Sequence, residues 1–174
     1  LIVLSFPVLR LVHFQMLPKA DKQQYYVYLD MPEGTGVQKT RAASRRISEV
    51  IQQGQYTHSI QAFIGEPPVI NFSGLFRGAQ LRGEAHQATL KVNLVPQDER
   101  WPGSAEIVSR TRAEVNEQIT LPPEAALRFV EIPPGPPVRA TLVAEVYGDD
   151  PTEQRQVARR VRELFEQQPG VVDV

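Results

Sequence analysis

The sequence predicts an α+β protein whose main unit follows the ferredoxin-like order βαββαβ. Two observations support this fold class. Four short runs are rich in aromatic and β-branched residues or alternate in polarity, as strands do. Two longer segments place apolar residues at helical spacing, and they alternate with the strands between about residues 25 and 132. The two strand–helix–strand halves of this unit repeat each other in architecture only, because their sequences show no duplication.

The first strand–helix–strand unit is predicted at residues 25–64. Residues 25–31 are rich in aromatic and β-branched residues and run into a Pro-Glu-Gly turn, which predicts a strand. We expect Thr35 to be the N-cap of the following helix and Gly54 to end it. The second strand is then expected at residues 55–64.

The second unit is predicted after a long connection from Gly65 to about Gly83, which carries Phe72 and Phe76. Connections of this length within a domain are usually functional or mobile. Beyond it we expect a strand at residues 88–95, a helix at 104–119 and a strand at 127–132.

A proline-rich bridge at residues 133–137 then precedes an incomplete second βαβ unit. The expected elements are a strand at 141–147, an amphipathic helix at 152–168 and the start of a strand at 171–174. The acidic residues before Pro151 are expected to cap that helix. A strand that ends with the chain leaves an unpaired edge, so we interpret the sequence as a fragment.

Composition and motifs argue against several classes of function. With 19 basic and 20 acidic residues, the chain has no charge excess that favours nucleic acid. It contains no cysteine, and its histidines (His13, His58 and His86) are far apart, so no metal site is predicted. Ser73 lacks a nucleophile elbow, and residues 34–36 lack the further glycines of a phosphate loop. We therefore expect neither an enzyme nor a bound cofactor.

The N-terminal residues 1–14 are mostly apolar, yet they are fewer than the roughly 20 residues that a membrane-spanning helix needs. Arg10 lies late in this run and no cleavage site follows, which is unlike a signal peptide. We interpret residues 1–15 as the end of a transmembrane helix. The alternative is an ordinary buried strand or helix of a soluble domain.

An ordered series of segments resembles the second large periplasmic loop of the resistance-nodulation-division (RND) efflux transporters, in their acriflavin-resistance branch. The resemblance covers essentially the whole chain. The segments that carry it are residues 16–22, 29–35, 70–75, 92–95, 133–137, 142–148 and 169–174. It implies a porter subdomain at residues 16–134 and the truncated start of the next porter subdomain at 135–174.

The resemblance also implies a function and partners. Members are homotrimers in the bacterial inner membrane, and the segment that corresponds to this chain faces the periplasm. They are driven by proton flow and work with a periplasmic adaptor and an outer-membrane channel. Their substrates include small hydrophobic or amphiphilic compounds, which pass between porter subdomains by alternating access. The proton-relay carboxylates of the family lie in transmembrane helices outside this sequence.

By position, residues 65–77 match the loop that gates the deeper substrate pocket in the family. Phenylalanines in such a loop are either substrate contacts or packing anchors. Multidrug members place aromatic residues where this chain has Arg139 and Thr141, which is a departure from the pattern. The candidate residues of the substrate pathway are Phe72, Phe76, Asn71, Arg77, Arg139 and Thr141.

An alternative interpretation is that the chain is a soluble ferredoxin-like domain that binds a ligand or regulates another protein, because this fold hosts many functions. An RNA-binding version would combine stacking aromatic residues with basic ones. Tyr25, Tyr26 and Tyr28 share one strand, but no run of lysines or arginines accompanies them. A full membrane span upstream of residue 1 would separate the transporter from the soluble domain.

Overall fold

A four-stranded antiparallel sheet forms the centre of the computed structural model, which describes residues 21–69, 71–132, 135 and 142–173. The strand order is β2-β3-β1-β4, which is the ferredoxin-like order and confirms the predicted fold class. The strands are β1 (Gln24–Asp30), β2 (Thr57–Ile64), β3 (Gln87–Leu94) and β4 (Ala126–Glu131).

Helices α1 (Val37–Gln52) and α3 (Ser104–Gln118) cross between the strands, close to the predicted positions. The predicted N-cap of α1 is wrong by one residue. Gly36 takes that position without a side-chain hydrogen bond. The Thr35 N–H instead donates to the Pro32 carbonyl at 3.0 Å and closes the preceding turn.

The main core lies between one face of the sheet and these two helices. Strand alternation points Tyr25, Val27 and Leu29 of β1 into this face, each at most 1% exposed. Leu90 and Val92 of β3 lie directly opposite β1 residues and are fully buried as well. Burial of each such side chain stabilises the fold by about 1.5–3 kcal/mol, so the two-residue period fixes which face meets the helices.

Part of the opposite face of the sheet is covered by the connection between β2 and β3. This connection contains a short helix α2 (Phe72–Phe76) and a 3₁₀ turn at Ala79–Leu81, where the sequence predicted only a loop. Ala79 packs against Tyr26 and Tyr28, and all three are buried. The connection is therefore an ordered part of the fold that packs against the sheet.

The C-terminal region holds helix α4 (Pro151–Glu166), which begins one residue before its predicted start. The Asp150 side chain accepts a hydrogen bond from the Thr152 N–H at 2.7 Å, which confirms the predicted acidic cap. The strand predicted at 141–147 is not formed at residues 142–147, and residues 171–173 form none either. A strand requires a paired neighbour, and none of the described strands pairs with these segments.

Two parts of the predicted organisation lie outside the described residues. The predicted end of a transmembrane helix at residues 1–15 is one, and the segment 136–141, which contains Arg139 and Thr141, is the other. Within the part of the chain that the structure describes, none of the helices combines the length and the apolar character needed to cross a membrane.

Candidate functional site

The connection between β2 and β3 carries a group of solvent-exposed apolar side chains. Phe72 is 70% exposed and Phe76 is 53% exposed. They are four residues apart on α2, a spacing that brings side chains to one side of a helix. Val69, Leu75 and Leu81 of the same connection are exposed too. Grouped exposed apolar side chains typically mark an interaction site.

Asn71 and Arg77 have structural roles at the two ends of α2. The Asn71 side-chain oxygen accepts a hydrogen bond from the Gly74 N–H at 2.9 Å and caps the helix. The Arg77 guanidinium donates to the Glu131 carbonyl of β4 at 3.2 Å. The first contact caps α2, and the second ties the C-terminal end of α2 to the end of β4.

Arg82 anchors the end of the connection to the sheet. Its guanidinium forms an ion pair with Asp30 at 2.8 Å and donates to the carbonyls of Leu29 and Ala88, each at 3.1 Å. Its Nε donates to the Thr89 hydroxyl at 3.2 Å. The planar fork of arginine can satisfy all of these partners at once.

The same guanidinium lies 4.6 Å from the centre of the Tyr28 ring, which is within the range of a cation–π contact. Burial raises the pKa of Tyr28, although the nearby charges of Arg77, Arg82 and Arg128 oppose the shift. Tyr28 is therefore a neutral platform beneath the connection. This anchor could not be recognised from local sequence, because Arg82 and Asp30 are 52 positions apart.

A shallow depression of about 440 Å³ opens beside α2. It is lined by Leu75, Phe76, Arg77, Gly78 and Gln80. The lining combines apolar surface with one guanidinium, a mixture suited to amphiphilic molecules. Gly78 has φ +76, a left-handed conformation that glycine tolerates and that turns the chain from α2 into the 3₁₀ segment.

The structure thus brings four of the six candidate residues together. Phe72 and Phe76 are exposed on the site, and Asn71 and Arg77 hold it in place. Arg139 and Thr141 lie outside the described residues. Among the residues that are described, no three His, Cys, Asp or Glu side chains come together as metal ligands.

Two solved structures are similar to this chain over nearly its whole length. Both are of a heavy metal efflux pump. Crystal form II covers 97% of this chain with a TM-score of 0.65 and 16% sequence identity. Crystal form I covers 98% with a TM-score of 0.63 and 17% identity. This chain shares the fold of part of those pumps.

The similarity concerns a small part of each pump, since the matched region is 17% of one chain and 18% of the other. This chain therefore spans less than a fifth of their length. No protein-family model matches it, and a search of curated proteins gives no match.

Proposed function

We propose that this chain is a periplasmic porter region of an RND efflux transporter of the acriflavin-resistance branch, located in the bacterial inner membrane. The observation that carries the proposal is the match of 97% of the chain to one region of an efflux pump. The ordered series of segments that resembles the second large periplasmic loop of the family supports it independently. In this proposal the chain contributes to the transport of a substrate and does not catalyse a chemical reaction.

The exposed aromatic side chains of α2 are the proposed substrate contacts. Phe72 and Phe76 offer apolar surface without a fixed hydrogen-bonding pattern, which suits small hydrophobic or amphiphilic compounds of varied shape. Arg77 at the rim of the depression would face the polar end of such a molecule. Substrate movement would follow from movement of porter subdomains against each other, coupled to proton flow through the membrane part.

The proposed assembly is a homotrimer with a periplasmic adaptor and an outer-membrane channel. A connection held at Arg82 and at Arg77 can carry its apolar side chains as one body when the subdomain moves. Such movement would change access to the depression without refolding the connection.

The test of this function is export by the full-length protein in cells whose own copy of the gene is deleted. We expect Phe72→Ala and Phe76→Ala to raise the retention of a fluorescent amphiphile, at unchanged protein level in the membrane. Leu142→Ala is the matched control, since Leu142 is an exposed apolar residue outside the connection. Unchanged export by both phenylalanine variants would refute the proposed contacts.

The same cells also distinguish substrate classes and the soluble alternative. Because the similar structures are of a heavy metal efflux pump, retention of divalent metal ions is measured in parallel. Metal retention that changes alone would assign a different substrate class. In an immunoblot of native cells, a membrane band much larger than 19.6 kDa supports the transporter. A soluble band near that mass would instead identify the ferredoxin-like binding domain.

A further inference from the structure

Trp101 is the most exposed large apolar side chain among the described residues, at 98% of its surface. It is also the sole tryptophan of the chain. It lies in the turn that joins β3 to α3, between Arg100 and Pro102, both of which are buried. An almost fully exposed indole between two buried neighbours is available for contact with an amphipathic surface.

The turn that presents Trp101 is held rigidly. The Arg100 side chain is 0% exposed and forms an ion pair with Asp21. It also donates to the Pro102 carbonyl at 2.9 Å. The same Asp21 carboxylate accepts a hydrogen bond from the Ser104 N–H at 2.9 Å, which ties the start of α3 to the residues before β1. The exposure of Trp101 therefore belongs to a fixed turn.

The turn that holds Trp101 lies near the point where the N-terminal segment enters the sheet. The start of β1 pairs with the end of β3, Gln24 opposite Asn93, so the Trp101 turn lies at the end of the sheet where the chain enters. Asp21 follows the apolar residues 1–15 by six positions. Six residues reach about 20 Å at most, so Trp101 is tethered close to wherever that segment ends.

We propose that Trp101 lies in the headgroup region of the lipid bilayer and orients this subdomain on the membrane surface. The inference rests on the proposed function, because it takes residues 1–15 as the end of a transmembrane helix. Tryptophan concentrates at membrane interfaces, where its ring meets the acyl boundary and its N–H stays hydrated. The exposed Asp98 and Glu99 beside it remain in water, which fits a shallow position.

Intrinsic fluorescence tests the proposal directly, since every tryptophan photon comes from Trp101. The 174-residue chain is mixed with phosphatidylcholine vesicles whose acyl chains are brominated either near the headgroup or deep in the tail. We expect a blue shift of the emission, stronger quenching by the shallow bromines, and several-fold weaker quenching by aqueous iodide than without vesicles. Flotation of the vesicles reports, separately, whether the chain binds them.

The matched control is Trp101→Phe combined with Thr120→Trp. Thr120 is exposed after α3, at the opposite end of the sheet, where Asp30 of β1 pairs with Ala126 of β4. We expect its emission to stay unshifted and open to iodide. A chain that floats with vesicles while Trp101 stays open to iodide overturns this inference alone. Shielding from iodide without bromine quenching also overturns it. A chain that does not float overturns the membrane role of residues 1–15 on which this inference rests, whereas the export assay in cells tests the proposed function separately.

Discussion

Replacement of Arg82 by methionine tests whether the connection over the sheet is anchored as the structure indicates. The side chain is 11% exposed and its guanidinium donates to two carbonyls and a hydroxyl besides its ion pair with Asp30. Methionine keeps most of the apolar stem but removes every one of these contacts. Removing one partner of a buried pair typically costs 3–5 kcal/mol.

The expected loss lies at the lower end of that range because Asp30 retains a second partner. Arg128 also forms an ion pair with Asp30 and is 44% exposed, so the carboxylate is not left alone. Water can also reach part of the Arg82 site. We therefore expect Arg82→Met to lower the free energy of unfolding by about 3 kcal/mol.

Urea unfolding of the full chain, followed by circular dichroism, measures this change. Arg128→Met is the matched control, since it removes a more exposed guanidinium from the same carboxylate, and we expect a loss of about 1 kcal/mol or less. Proteolysis within residues 71–82 should increase in Arg82→Met and not in the control. Equal losses in the two variants would refute the view that Arg82 is the anchor.

Two further predictions concern the dependence of stability on pH. Hydrogen bonds from Arg100 and Ser104 and the Arg100 charge lower the pKa of Asp21 against the opposing effect of burial, its largest single influence. Ionised Asp21 therefore stabilises the fold above the unfolded pKa, and this stabilisation is lost as the pH falls through the folded pKa. We expect the acid unfolding of Asp21→Asn to depend less on pH than that of the parent protein. Burial raises the pKa of Tyr25 to about 12. The protein should therefore lose stability as the pH rises from about 10 to about 12, and Tyr25→Phe should remove that slope in alkaline urea titrations; an unchanged slope would contradict the assignment.

The sheet could be predicted from the sequence because each strand carries its own evidence. In β1, aromatic and β-branched residues alternate between two faces, and both faces are buried, one by helices and one by the connection. The pattern predicts the strand, and the order of elements then leaves few topologies. The strand predicted at residues 141–147 shows the limit. A local pattern can indicate a strand, but it cannot supply the neighbour with which the strand pairs.

The candidate site was predictable only in part. The length of the connection and its two phenylalanines indicated where to look. Helix α2 has five residues, which is too short for apolar periodicity to reveal. Its cap at Asn71 could have been recognised from the residue type. The anchoring role of Arg82 could not, because its partners come from β1 and β3 and meet only in the folded sheet.

The same arrangement occurs at two places in this chain. Phe72 and Phe76 stand in solvent on a connection held by Arg82, and Trp101 stands in solvent beside the buried Arg100. In both, a buried arginine with several hydrogen bonds fixes the backbone that presents the aromatic rings. A binding surface that is already ordered loses little further backbone entropy when a ligand or a lipid arrives, so more of the contact energy is available for binding. Under the proposed function, we expect Arg82→Met to weaken export by the full-length protein as much as Phe72→Ala does, at an unchanged protein level in the membrane, because the variant loses the preorganisation of the connection. Normal export by Arg82→Met at that level would refute this role of preorganisation.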